Sequence, residues 1–231
     1  MKSQTEPFAC GLFAGLLVLL IGLIANAGCY RDSKLDTVEA GPDFTAYWDA
    51  AVQITVHCVG PNGEVAWYGS GVIISETSLL TAGHVAEQED PSDVCSFAVE
   101  TATGATYLVY PMTVLASDAV DLARMEIISF TQKFYAPPVR FGAVPQMGDE
   151  VCTSVGYPRR EQRCGLVMHP DDPPGDIRMD LTVEPGNSGS GLYDMSGYLV
   201  GIVVHTYPNR GNGQYVSGGA TSLAGHLQEL L

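Results

Sequence analysis

One serine, one histidine and one aspartate stand in settings that could do chemistry together. Ser188 lies in Val183-Glu184-Pro185-Gly186-Asn187-Ser188-Gly189-Ser190-Gly191-Leu192, after an apolar–polar alternation from Ile177 to Val183 and before a strand-like run. Glycine ahead of a serine lets the backbone turn sharply and aim its N–H groups into a pocket. Small residues after it leave room for a carbonyl to reach the hydroxyl. The amides of Gly186 and Ser188 would form an oxyanion hole, stabilising charge that develops only in the transition state. By itself, Gly-Asn-Ser-Gly reads equally as an ordinary turn between strands. Two earlier stretches change that balance. Leu79-Leu80-Thr81-Ala82-Gly83-His84-Val85 runs an apolar strand into a small-residue turn with His84 at its tip, and Asp121 leads the alternating strand Asp121 to Ile127. A weakly nucleophilic hydroxyl needs a base, and the base needs a group that fixes its tautomer and stabilises its cation. Read this way, Ser188 attacks an acyl carbon, His84 takes its proton and Asp121 orients His84. Asp118, three residues before Asp121, reads as a surface turn residue.

The elements that must hold these residues are short strands. Val52 to Cys58 alternates as a half-buried strand does, and Gly60-Pro61-Asn62-Gly63 is a hairpin signal. Further strands are expected near 64–74, 78–81, 96–100, 106–115 and 122–128. After a connection at Phe134 to Phe141 come others near 150–156, 164–169, 176–183, 191–193, 198–206 and 214–218. Ser222 to Leu231 reads as an amphipathic helix, with Leu223, Leu227, Leu230 and Leu231 on one side. Many short strands with turn signals and one closing helix fit two packed antiparallel barrels. No internal sequence repeat is visible.

Thr-Ala-Gly-His, Asp-Leu-Ala and Pro-Gly-Asn-Ser-Gly-Ser, in this order, resemble the trypsin/chymotrypsin-like serine peptidases, with a flavour similar to the bacterial HtrA-type and glutamyl endopeptidases. Gly69 to Ile74 resembles the strand before the histidine turn, and Gly197 to Val203 the strand after the serine. The resemblance covers roughly residues 45–231. It implies an all-β fold of two antiparallel six-stranded barrels with a C-terminal helix. The N-terminal barrel would span about 45–133, the C-terminal barrel about 138–220 and the helix 222–231. It implies a serine endopeptidase acting on protein or peptide substrates through His84, Asp121 and Ser188, with no metal or organic cofactor. Asn187 stands where the animal branch has an aspartate that pairs with a freed N-terminus, which implies no such activating cut. Aligned by motif, Thr182 and Val183 form the base of the substrate pocket, and Val204, His205 and Thr206 its other wall. No aspartate stands at the base, which disfavours Lys or Arg at P1. Glutamyl endopeptidases read a substrate carboxylate with a histidine directly after the Gly-Ile pair. His205 lies two residues later, facing the same way if the strand is regular; small or apolar P1 residues remain the favoured class. An α/β-hydrolase orders its triad Ser, Asp, His, and beyond His226 this chain has no histidine and acid suitably placed for that. A catalytically silent, peptidase-like binding module is the competing reading.

Composition adds compartment and exclusions. The net charge of −15 argues against nonspecific nucleic-acid binding, which needs a basic footprint. Lys2 precedes an uncharged, mostly apolar run from about Phe8 to Ala27, ending in Ala25-Asn26-Ala27. That suits a signal peptide, residues 1–27; the run is also close to the roughly 20 residues that span a bilayer, so a retained signal anchor is the alternative. Residues 28–44 read as a linker. An exported protein, periplasmic or extracellular or held at a membrane, follows. Ala27-Gly28-Cys29 is similar to the end of a bacterial lipoprotein signal, which would make Cys29 a lipidation site, although Asn26 departs from that pattern. The membrane enters only through this segment or through Cys29. Of the six cysteines, Cys10 falls in the export segment and Cys29 in the linker. A Cys58–Cys95 bridge would clamp the loop carrying His84, and Cys152–Cys164 would close a hairpin, in an oxidising compartment. No Cys-x-x-Cys supports zinc.

Overall fold

The computed structural model describes residues 45–231 apart from 89, 118–119, 130, 136–138, 157–158, 160, 171–174 and 209–214, and only the backbone of 45–46, 206–208 and 215–217. The expected export segment, the linker, Cys10, Cys29 and Asp118 lie outside the described residues.

After a helical turn α1 (Thr45–Ala50), β1 (Ala51–Gly60) turns Val52, Ile54, Val56 and Cys58 inward and Gln53, Thr55 and His57 outward. Period-two alternation therefore becomes one wet and one dry face. Pro61-Asn62 closes the hairpin to β2 (Gly63–Ile73), where Gly60 pairs with Gly63. Then follow β3 (Ser78–Thr81), β4 (Val94–Glu100), β5 (Thr106–Ala116) and β6 (Asp121–Ile127). These six antiparallel strands close into a barrel in the order β1-β2-β3-β6-β5-β4. The second half contributes β7 (Glu150–Val155), β8 (Glu161–Pro170), β9 (Asp176–Met179), β10 (Gly191–Asp194), β11 (Leu199–Pro208) and β12 (Tyr215–Ser222). They close as β7-β8-β9-β12-β11-β10, the same order of strands as in the first half. The fold is thus two closed six-stranded antiparallel barrels, as expected of the chymotrypsin-like class.

Each barrel has its own core. Val151, Val167, Ile177, Met179, Leu192 and Val203 fill the second. The first core extends past its barrel to take in Tyr193, Leu199, Ile202 and Val204 from the second half, so burial also joins the barrels. The connection between them packs Phe134 edge-on against Tyr107, with centroids 4.9 Å apart, and bridges Phe141 to Leu199. Cross-strand disulfides join Cys58 to Cys95 across β1 and β4, and Cys152 to Cys164 across β7 and β8.

Two local expectations are corrected. The terminal helix is only α3 (Leu227–Leu230), because Ser222 still belongs to β12 and Gly225, at φ +89°, interrupts any helix before it. Leu223 and Leu230 are buried, but Leu231 is 59% exposed, so the four leucines do not share one face. The strand expected over 176–183 stops at Met179, where the Asp180 carboxylate turns back to accept the Leu166 amide at 2.5 Å. His84 sits in the expected turn, which is the single helical turn α2 (Gly83–Ala86). No helix among the described residues is long and apolar enough to cross a membrane.

Candidate active site

β3 ends at Thr81 and delivers Gly83 and His84 to the mouth of the first barrel. β6, its ladder neighbour, begins there with Asp121. One carboxylate then makes two contacts: Asp121 Oδ1 accepts the His84 backbone N–H at 2.7 Å, and Oδ2 lies 2.5 Å from His84 Nδ1. A carboxylate only accepts, so Nδ1 carries a proton in this contact. Burial pushes the Asp121 carboxyl up. The ring N–H and charge of His84, with the amides of His84 and Gly83, outweigh it and hold the group below its ordinary 3.8.

Ser188 lies between two successive turns in the second half, at the first corner of the second. Asn187 N–H donates to Glu184 O at 2.9 Å, and Asn187 Oδ1 accepts the Glu184 N–H at 2.9 Å. Pro185 and Gly186 occupy the corners of this turn, and Gly186, at φ +92°, takes the left-handed position that a type II turn requires. Ser190 N–H closes the second turn on Asn187 O at 3.0 Å. The amides of Gly186 and Ser188 donate to no acceptor among the described residues. Ser188 Oγ donates to Val204 O at 3.3 Å; no hydrogen bond joins it to His84 among the described residues.

The two halves meet at Gly69 and Ser70 of β2. Ser70 N–H donates to Ser188 O at 2.7 Å, and Ser70 Oγ donates to Gly186 O at 2.8 Å and accepts the Gly156 N–H at 3.2 Å. A Cβ on Gly69 would sit 2.7 Å from Val85 Cγ1 and 3.2 Å from Ser188 O. The histidine turn and the serine loop therefore approach each other across one missing side chain.

A family model described as the trypsin-like peptidase domain matches residues 69–202, from that contact strand through all three motifs. The chain belongs to the trypsin-like peptidase family. A comparison with curated proteins finds no match. The family match does not single out the HtrA-type or the glutamyl branch.

Within this trypsin-like peptidase domain, a cavity of about 430 Å³ is lined by His84, Glu87, Ala116, Ser117, Asp121 and His205. The other pocket residues expected from the sequence are spread differently. Thr182 is exposed, and its carbonyl accepts from Arg163 at 2.8 Å. Val183 packs in the second core and Val204 in the first, where burying an apolar side chain is favoured over leaving it at a wet rim. The Thr206 side chain lies outside those described. His205 does face the cavity, but not for the reason given by strand alternation. The β11–β12 register shifts between Val203 and His205, leaving Val204 as an extra residue. A bulge of this kind re-aims the following side chain. His205 Nε2 lies 3.5 Å from Asp176 Oδ2 on β9.

Sequence reasoning passed over Ser70, Glu87, Asp176 and Arg163. Ser70 had a visible signal in its Gly-Ser-Gly setting and Glu87 follows closely on His84; Asp176 and Arg163 are long-range partners with no local mark. Among the described residues no three His, Cys, Asp or Glu side chains gather as a metal site would require.

Proposed function

We propose that this protein is an exported serine endopeptidase that hydrolyses peptide bonds through an acyl-enzyme. The observation that carries the reading is the His84–Asp121 pair, 2.5 Å apart, with the unengaged amides of Gly186 and Ser188 in the loop that meets the histidine turn across Gly69. On this reading Ser188 Oγ exchanges Val204 O for His84 Nε2 when substrate binds; such bonds are often long or misaligned in unliganded enzymes and tighten in the complex. Ser188 then attacks the scissile carbonyl, and His84 takes its proton and passes it to the leaving amine. The two amides hold the oxyanion, and water deacylates the serine with His84 again as base. Asn187 takes the place of an activating ion pair by capping the Glu184 amide within the turn. A small or apolar P1 residue remains the favoured substrate class. An acidic P1 residue remains the alternative, since the bulge at Val204 turns His205 toward the cavity even though the strand is not regular. Residues 1–27 act as the export signal or anchor and 28–44 as a linker; protein contact with a membrane is confined to that segment or to lipid on Cys29.

The binding-module reading draws on one observation, the Ser188 hydroxyl bonded to Val204 rather than His84. Fluorophosphonate labelling followed by peptide mapping separates the two. An enzyme labels on Ser188 and loses the label in His84→Ala. Ser188→Ala should lower kcat by roughly 10⁶ and leave folding intact. A folded, oxidised protein that takes no label, and whose biological effect survives Ser188→Ala, is a binding module.

A further inference from the structure

We propose that Arg163 is a positioning residue that holds the oxyanion turn from outside the cleft. The inference rests on the peptidase reading of Ser188. Arg163 lies on β8, opposite Thr153 of β7, beside the Cys152–Cys164 disulfide that ties those strands together. Its side chain is only 22% exposed. It reaches beyond its own ladder: Nη1 donates to Thr182 O at 2.8 Å, and Nη2 lies 3.4 Å from Glu184 Oε2 and contacts Glu161 Oε1.

What it grips is a segment without a ladder of its own. β9 ends at Met179, so 182–184 run to the turn outside any strand. Glu184 is the first residue of that turn: its carbonyl accepts the Asn187 N–H and its amide donates to Asn187 Oδ1. Fixing Glu184 and the carbonyl two residues earlier therefore fixes the plane in which the Gly186 amide points. Asn187 supports the turn from inside, and Arg163 supports it from β8. A guanidinium is suited to this because its rigid fork can serve a carbonyl and a carboxylate together, which a lysine ammonium does with less directional control. Electrostatics point the same way. Glu161 and Glu184 both face Arg163; without the cation, two carboxylates would repel across the gap and push Glu184, with the turn, away from β8.

The test compares Arg163→Met, Arg163→Lys and Glu184→Gln with the unaltered protein. One readout is the rate of fluorophosphonate reaction at Ser188, whose tetrahedral phosphonyl oxygen enters the oxyanion hole. The other is residue-level amide hydrogen exchange. We expect Arg163→Met to react about 10- to 100-fold more slowly, as small misplacements of reacting groups do. The Glu184 and Asn187 amides should exchange faster while the strands of the second barrel keep their protection. Arg163→Lys should recover part of the rate, and Glu184→Gln should lose less than Arg163→Met because it removes one carboxylate as well as the ion pair. Unchanged rate and unchanged exchange at Glu184 and Asn187 overturn the proposal. So does exchange that rises uniformly through the second barrel, which would make Arg163 a general brace. If the unaltered protein does not react with the probe, exchange still decides: a selective change at Glu184 and Asn187 upholds the positioning role while the peptidase reading falls.

Discussion

At His84, main chain and ring are held by a single neighbour. Asp121 binds the backbone N–H with one oxygen and the ring with the other, so main chain and imidazole cannot turn independently. Under the proposed function, Asp121→Asn should lower kcat by roughly 10⁴ with little change in KM, since an amide that donates to Nδ1 selects the wrong tautomer. Steady-state kinetics on any cleaved peptide checks this; a loss carried by KM would count against the orienting role. The same contacts have a pH signature. The folded Asp121 carboxyl is held below its ordinary 3.8. Its contribution to stability is therefore fully present above that ordinary value and is lost as pH falls through the lowered folded value. Acid titration of wild type and Asp121→Asn, followed by urea midpoints, should show the difference between them shrinking only in that acidic window. A difference that shrinks near neutrality would assign the effect to another group.

At the scale of elements, β2 is the strand that brings the histidine turn and the serine loop into register. Ser70 bonds both Gly186 and Ser188, and Gly69 leaves the space in which Val85 and Ser188 meet. Gly69→Ala should destabilise by about 1–3 kcal/mol, the usual cost of overpacking. It should also slow Ser188 labelling, because the Cβ pushes apart the two loops that must cooperate. Val85→Ala added to Gly69→Ala should recover part of both, since it removes the Cγ atoms 2.7 and 2.8 Å from the new Cβ. Strictly additive effects in that double variant would show that the contact is not the cause.

For the whole molecule, the two barrels are separately stapled and jointly buried. In the loop-closure account the cost of losing a bridge grows with the chain it encloses. Cys58–Cys95 spans 37 residues and Cys152–Cys164 spans 12, which corresponds to about 4 and about 3 kcal/mol. Chemical denaturation of Cys58→Ala/Cys95→Ala and Cys152→Ala/Cys164→Ala should rank them in that order; the reverse order would mean that local packing, not chain entropy, sets the cost. Because Ile202, Val204 and Leu230 sit in the first core, both losses should appear as a single cooperative transition.

Much of this was legible from local pattern. Alternation marked β1 and β6, Pro61-Asn62 between glycines marked the hairpin, and small residues around His84 and Ser188 marked the turns, because each of these depends on neighbours in sequence. The matching strand order of the two barrels was not legible, since the shared order is a property of pairing and leaves no repeat in side chains. Nor was the end of β9, which is set by Asp180 reaching Leu166 across the ladder, or the bulge at Val204, which exists only relative to β12. The grip of Arg163 on Thr182 and Glu184 was equally hidden. An arginine between a glutamine and a cysteine has no local signature, and the two partners it grips lie 19 and 21 residues further along the chain. Residue type and spacing announced which groups could react; only the packed barrels decided which distant residues hold them in place.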